Sequence, residues 1–506
     1  METSQSSFIQ DASKFHTIPI VRRFFVDTIT PIQLFQQLKN EAVFLLESKD
    51  DGSPWSRYSF IGLNPYGFLT EEDGDYLFRE SRTGTVLKEK DFHQAFEKAI
   101  EYLNVKPLET PVPFYGGAVG CIGYDAVTRL EPIAEHRNND LGLRKFSFLF
   151  CETILAFDHI DKELSVFHQV RLAGSETKEE KVHYYEKAIR KIDDLLSVIN
   201  GSDRYRNLFF PTPDQKDVSF ERVRSNYRKE NFMQDVEKIK EYIRQGDIFQ
   251  AVLSQRFEVD LNVKGLDIYR ALRVVNPSPY LFYLRIDGVE VVGSSPERLV
   301  QVQNRNVEIH PIAGTRKRGE TREEDEALAA DLLQDEKERA EHFMLVDLAR
   351  NDVGRVAKYG TVQTPVLTEI ARFSHVMHMI TKVTGELAVD RTPVDALLAA
   401  FPAGTVSGAP KVRAMEILQE LEPTARNFYA GAVGYLGFDG NIDSCIAIRT
   451  LVIKDGTAYI QAGAGIVADS DPLKEWEESQ NKARALVKAI ELAEDIFKNK
   501  GEKLHV

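Results

Sequence analysis

Two pairs of glutamates at helical spacing carry the clearest chemical signal in this chain. In the segment 337–342 (KERAEH), Glu338 and Glu341 stand at i, i+3 and share one helix face. Glu341 heads a stripe continued by Met344, Leu345 and Leu348, which reads as the side facing a core. Near the C-terminus Glu475, Glu478 and Lys482 share a face that leads into Leu486. A carboxylate on an apolar stripe is costly unless it meets a cation or a metal. Four carboxylates converging from two helices would make an oxygen-rich site for a hard divalent ion. Mg2+ suits such a site, because it combines a few carboxylates with waters and substrate oxygens. Taken alone, each pair also reads as a solvated acidic face; the apolar continuation of both stripes argues for more.

Other segments could hold an anion or move a proton. The run 461–465 (QAGAG) follows a strand pattern, and its small residues let backbone N–H groups approach an anion or simply make a tight strand exit. No GxxG or GK[ST] follows, so neither nucleotide fingerprint is complete. Arg449 closes the run 445–449 (CIAIR), where period two places it on the Cys445/Ala447 face. A guanidinium there wants an anionic partner, in a ligand or in a structural ion pair. His375 and His378 stand three apart, a spacing that serves a metal, a general base or plain structure; no third nitrogen or thiol ligand is apparent. The stretch 401–411 (FPAGTVSGAPK) is too poor in large side chains to build core, and fits either close backbone approach to a ligand or a flexible turn.

The elements that must position these groups follow from pattern. Residues 1–200 are strand-rich, with short apolar or alternating runs at 42–46, 58–62 and 146–157, and a helix over 178–199 that Asn200-Gly201 stops. Residues 201–218 are polar with two prolines and form the expected linker to a second domain, 219–506. That domain opens with a helix over 230–244, closed by Gly246. Strands follow over 280–286, 289–293, 299–302 and 307–311, the first two joined by Asp287-Gly288. A long helix over 323–358 and more helix come next, then the small-residue loop and another helix. Strands over 430–438, 444–453 and 457–461 precede a last helix, 475–498. Runs of strands followed by runs of helices predict an α+β fold.

Length and charge exclude several classes. The chain has 506 residues, with 64 Lys plus Arg against 78 Asp plus Glu, a net charge of −14. That argues against nucleic acid as the main partner. An acidic enzyme acting on an anion then needs local cations or a metal. Cys121, Cys151 and Cys445 lie far apart without CxxC spacing, so neither a zinc site nor a disulfide framework is expected. The N-terminus lacks the apolar core of a secretion signal, and no run approaches ~18 apolar residues. The expectation is a cytoplasmic protein with no membrane contact.

Seven segments, in this order, resemble the chorismate-utilising enzyme family. They are 311–316 (PIAGTR), 338–351 (ERAEHFMLVDLARN), 401–415, 429–435 (YAGAVGY), 443–449 (DSCIAIR), 461–465 and 478–483 (ESQNKA). The likeness is closest to the anthranilate-forming branch. It implies an αββα sandwich of two packed, mainly antiparallel sheets flanked by helices. It implies that chorismate and ammonia give anthranilate and pyruvate with Mg2+, the first committed step of tryptophan biosynthesis. The ammonia comes from glutamine through a separate amidotransferase subunit, commonly in a heterotetramer. By the same resemblance Glu341 and Glu478 are the direct Mg2+ ligands, with Glu338 and Glu475 helping directly or through water. Arg449, Tyr429 and the 463–465 backbone (Gly463, Ala464, Gly465) bind the enolpyruvyl carboxylate, and Gly314 and Thr315 line the pocket. Glu297 is the general acid for the departing hydroxyl, which requires a raised pKa; His378 serves pyruvate elimination. Isochorismate-forming relatives carry a water-activating lysine where this chain has Gln250. The para-aminobenzoate branch, the alternative reading, carries a nucleophilic lysine where it has Ala313. Glu47 and Ser48, with Pro279, Tyr280 and Leu281, match the two halves of the family's tryptophan inhibitor site; Leu281 stands where bacterial relatives often have Met.

Overall fold

A computed structural model describes residues 2–49, 57–201, 218–372 and 376–497. Two long strands organise it. Tyr58–Glu72 and Phe146–Asp158 pair antiparallel from Tyr58↔Asp158 to Thr70↔Ser147, with a register shift between Pro65 and Gly67. On one side of the shift they are flanked by Ala42–Glu47 and Glu163–Arg171. On the other side they are flanked by Asp75–Glu80 and Gly117–Ile122. Each long strand therefore belongs to two sheets.

The first sheet continues from Ala42–Glu47 through Tyr280–Ile286, Val289–Ser295, Thr450–Lys454 and Thr457–Ile466 to Gln250–Asp260. The second continues from Gly117–Ile122 through Ala432–Gly437, Ile442–Ile446, Arg298–Gln303 and Asn306–Ile309 to Val376–Glu386. Strands Ile312–Lys317 and Gln363–Arg372 close that edge. All these pairings are antiparallel, and in each sheet a block of strands from 1–200 joins a block from 219–506, through Leu281↔Glu47 in the first and Ala432↔Ile122 in the second. Of the expected linker, residues 202–217 lie outside the described residues.

The sheets face each other across one apolar layer. Phe44, Phe282, Leu284 and Val291 from the first meet Val119, Cys121, Val433 and Cys445 from the second. Gly117–Ile122 is buried at every position, as a strand covered on both faces must be. Val376–Glu386, near the sheet edge, alternates with period two. Helices Lys178–Asn200, Gly265–Val275 and Pro472–Phe497 cover the outside of the first sheet. Phe92–Leu103, Glu336–Gly354 and Pro393–Ala400 cover the second. The order helix, sheet, sheet, helix is the expected α+β sandwich. All three cysteines are buried and free. Among the described residues no helix is long and apolar enough to cross a membrane.

Three local expectations are corrected. The helix expected over 323–358 is two helices, Arg322–Gln334 and Glu336–Gly354. Asp335 breaks it, and its side chain accepts from the Lys337 and Glu338 N–H groups at 3.0 Å, capping the second helix. Of the further helix expected between 358 and the small-residue loop only Pro393–Ala400 forms; before it lies the strand pair Gln363–Arg372 and Val376–Glu386, whose β-branched residues suit a pleated surface. The single strand expected over 444–453 is two, Ile442–Ile446 in the second sheet and Thr450–Lys454 in the first. The chain crosses between sheets at 447–449, and Arg449 takes a left-handed φ of 50° there. It does not share a strand face with Cys445 and Ala447.

Candidate active site

That crossover, the helices Glu336–Gly354 and Pro472–Phe497, and the small-residue loop enclose a cavity of about 590 Å3. Helix Pro472–Phe497 begins at Asp471, whose carboxylate accepts from the Leu473 and Lys474 N–H groups at 3.0 Å. Its buried face (Trp476, Ser479, Ala483, Leu486) fixes the rotation that leaves Glu475 and Glu478 toward the cavity. Glu341 enters from the other helix.

The carboxylates feel one another. Burial raises the Glu341 pKa, and Glu338 and Glu478 raise it further against Lys337 and Lys482. Burial also raises Glu475, opposed by a Ser470 hydrogen bond and reinforced by Glu478. Like charges from two distant helices thus meet across a single space. Lys482 pairs with Glu478 at 2.7 Å and donates to the Gly463 carbonyl at 3.0 Å. Glu338 instead faces Arg316 at 3.5 Å. As the side chains stand, no three His, Cys, Asp or Glu among the described residues form a ready metal cluster. Hard oxygen donors in excess negative charge are nonetheless the donor set that a divalent ion neutralises.

Arg449 and Tyr429 line the same cavity, Arg449 close to Glu478. Burial lowers the Arg449 pKa, while Tyr429 and Glu478 raise it; at neutral pH it is a cation. Its Nη1 donates to the Lys482 carbonyl at 2.5 Å. Burial pushes the Tyr429 phenol up to about 12, so it is an O–H donor at neutral pH. Arg426 lies 5.4 Å over the Tyr429 ring and donates to the carbonyls of Val406 and Val252 at 2.7 and 2.6 Å. It ties loop, strand and phenol together, yet nothing in its sequence neighbourhood distinguishes it from a surface arginine.

Glu297 lines the same cavity. Burial lifts its carboxyl to about 7, only partly opposed by the Thr405 hydroxyl, which donates to it at 2.9 Å, and by Lys482. A carboxyl half protonated at neutral pH can deliver a proton. Thr405 gives the small-residue loop a definite use. A Cβ on the adjoining Gly404 would meet Leu348 Cδ1 at 2.7 Å, so a larger residue there would have to push the Leu348 side chain aside.

The 461–465 run is not a strand exit, because Thr457–Ile466 continues through it, paired to Gln250–Asp260. Consecutive N–H groups of a strand point to opposite edges, so the Ala464 and Gly465 amides cannot both face one ligand. Gly463 and Gly465 line the cavity, and Ala464 packs with Phe232 and Trp476. A Cβ on Gly463 would meet the Leu253 carbonyl oxygen at 2.6 Å. Gln250 also lines the cavity, and Ala313 is buried in Ile312–Lys317.

Gly314, Thr315 and His378 form their own group beside it. The Gly314 carbonyl and the Thr315 hydroxyl lie 2.7 and 3.2 Å from His378 Nδ1. Gly314 takes φ 68°, and a Cβ there would sit 3.2 Å from Glu338 Oε2, which joins this group to the glutamate helix. His378 is on a strand; His375 lies outside the described residues.

A second cavity, of about 230 Å3, opens between the two sheets. Glu47, Ser48, Pro279, Tyr280 and Leu281 all line it, because Leu281 pairs with Glu47 in the first sheet. Glu47 accepts from the Tyr269 hydroxyl at 2.6 Å and pairs with Arg273 at 2.8 Å. The buried Ser48 hydroxyl has no hydrogen-bond partner among the described residues. Tyr280 donates to Asp443, a cavity residue that sequence reasoning placed only inside a longer segment.

A family model described as chorismate binding enzyme matches residues 41–488. Anthranilate synthase component 1 of Geobacillus stearothermophilus is 57% identical over 502 residues, covering 99% of this chain and 98% of that protein. The protein of the same name from Bacillus subtilis (strain 168) is 50% identical over 502 residues, with 99% and 98% covered. The crystal structure of anthranilate synthase component I from Streptococcus pneumoniae TIGR4 superposes with a TM-score of 0.72 at 36% identity, over 92% of this chain and 99% of that one. MenF, the isochorismate synthase of Escherichia coli, shares the fold at TM-score 0.66 and 18% identity, over 96% of this chain and 98% of that one. A match spanning most of the chain, joined to full-length relatives at half identity or more, makes this chain a member of the chorismate binding enzyme family.

Proposed function

We propose that this chain is the synthase subunit of an anthranilate synthase, converting chorismate and ammonia to anthranilate and pyruvate. The observation that carries the reading is the set of charged groups gathered around one cavity. Glu341, Glu475 and Glu478, the Arg449 guanidinium, Tyr429 and a protonatable Glu297 all line this one space. Chorismate is a dicarboxylate that must be held at both ends while a hydroxyl leaves.

Arg449 and Tyr429 hold the enolpyruvyl carboxylate by charge and O–H donation. Glu341 and Glu478 would hold Mg2+, with Glu475 and Glu338 in support; when bound, the ion supplies Lewis-acid polarisation of the ring carboxylate. Glu297 gives its proton to the departing 4-hydroxyl as ammonia adds beside the ring carboxylate. His378 carries the proton transfer that accompanies pyruvate loss and aromatisation. Gln250 is not basic enough to activate water, and Ala313 offers no amine for a covalent adduct, so ammonia is the remaining nucleophile. The name component 1 of the relatives fits a second chain, a glutamine amidotransferase, as the ammonia source; a heterotetramer in the cytoplasm is the assembly we propose.

Purified chain with chorismate, Mg2+ and excess ammonium at alkaline pH should accumulate anthranilate fluorescence. A non-fluorescent amino product would assign the para-aminobenzoate branch, and unchanged chorismate would sink the reading.

The second cavity is assigned to L-tryptophan as feedback inhibitor. Glu47 and the unpartnered Ser48 hydroxyl would meet its ammonium and carboxylate groups, and Pro279, Tyr280 and Leu281 its indole. Ser48→Phe fills the cavity, so the tryptophan concentration for half inhibition should rise by roughly two orders of magnitude or more, the scale of a lost charged hydrogen bond plus a clash. Inhibition curves on the two proteins decide it; coincident curves would refute the site.

A further inference from the structure

One guanidinium stands between the two cavities. Arg298 follows Glu297 directly and is 4% exposed. Its Nε donates to the Tyr280 hydroxyl at 2.7 Å, and that hydroxyl donates to Asp443 at 3.0 Å. Tyr280 and Asp443 both line the smaller cavity, as does Gln301, which donates to the same carboxylate at 3.3 Å. On its other side Arg298 Nη1 donates to Glu308 at 2.9 Å. Glu308 also pairs with His310 at 2.6 Å and with Lys382, which shares strand Val376–Glu386 with His378. The ladder of Arg298–Gln303 shifts register just after Arg298, and a void of about 40 Å3 lies against Glu297, Arg298 and His310.

We propose that Arg298 is a positioning residue that couples the two cavities. It holds Glu297 and the His378 strand in working arrangement while Tyr280 and Asp443 keep their hydrogen bonds, and an occupant of the smaller cavity that engages either group loosens that hold. The guanidinium is a rigid planar fork, so a change in one bond tilts the others. It is buried, so a broken bond is not replaced by water. The coupling rests on the chorismate and tryptophan readings above, and it must be reciprocal: chorismate weakens tryptophan binding by the factor with which tryptophan weakens chorismate binding.

The test is calorimetric titration of L-tryptophan with and without chorismate and Mg2+, ammonia being withheld so that nothing turns over. In the wild type chorismate should weaken tryptophan binding by a factor of roughly 5–150. Arg298→Lys keeps the charge and loses the fork; tryptophan should still bind alone, and the factor should fall toward one, as should inhibition of turnover. A merely structural role would weaken binding and leave the factor. Glu308→Gln cuts the far end of the fork without lining either cavity, and must lower the factor too, which decides the matter if Arg298→Lys fails to fold. An unchanged factor in a folded variant overturns the coupling, as does a wild type that binds tryptophan indifferently to chorismate. A wild type that binds no tryptophan overturns the inhibitor assignment itself.

Discussion

Glu297→Gln is expected to lower kcat for anthranilate formation by roughly 10²–10⁴-fold, the worth of one positioned proton transfer. The amide keeps the shape and the Thr405 hydrogen bond but has no proton to give. The pH dependence follows from burial, which lifts the carboxyl to about 7. The acid form is the active one, so kcat/KM for chorismate at constant free ammonia should fall tenfold per unit once the pH passes about 7. That limb should be missing in Glu297→Gln. The sign for stability is the same. A carboxyl whose folded pKa is raised contributes stability that is complete below the ordinary glutamate range and lost as the pH climbs to about 7. The variant should therefore gain thermal stability over the wild type near pH 8, with the gap closing near pH 4. A wild-type profile flat through neutrality, with a fully active Glu297→Gln, would remove Glu297 from the chemistry.

Glu341→Gln and Glu478→Gln should each cost roughly 10²-fold or more in kcat/KM at fixed Mg2+, since several kcal/mol of charge stabilisation are at stake. Glu338→Gln should cost less, because Glu338 already faces Arg316. A second readout needs no turnover. Glu341 is crowded by Glu338 and Glu478, so neutralising it should raise the Tm of the protein in EDTA. Mg2+ should raise the Tm of the wild type by selective binding to the folded state, and should do so less in both variants. An equal response to Mg2+ in all three proteins would place the ion elsewhere.

Local patterns made the glutamate pairs stand out. Helical spacing is short-range, and the structure brings Glu341, Glu475 and Glu478 to one cavity while Glu338 turns to Arg316. Tyr280–Ile286 was readable at both ends, because Asp287-Gly288 closes it and an apolar run fills it. What escaped the sequence was set by distant contacts. Residues 445–453 (CIAIRTLVI) are mostly apolar and read as one strand, and packing against two different sheets forces the break before Thr450. The left-handed backbone of Arg449 has no glycine to announce it. The strands Gln363–Arg372 and Val376–Glu386 lost to a helical reading because apolar Leu367, Val376 and Ile380 lie on the more exposed face and polar Thr381 on the buried one, which blurs the alternation. The continuation of Thr457–Ile466 through QAGAG was hidden because small residues signal a turn as readily as a crowded ladder. Arg298 and Arg426 act only through partners far away in the chain.

The bent pair Tyr58–Glu72 and Phe146–Asp158, common to both sheets, also bears on how the molecule is made. Ala42–Glu47 and Gly117–Ile122 leave the ribosome long before Tyr280–Ile286 and Ala432–Gly437, the neighbours that complete their ladders. The nascent first half therefore waits with raw hydrogen-bonding margins, the condition in which β-rich chains stick to one another. Non-local closure of this kind is slow, so the yield of the protein in a cell depends on chaperone cover during that interval as well as on the stability of the finished fold.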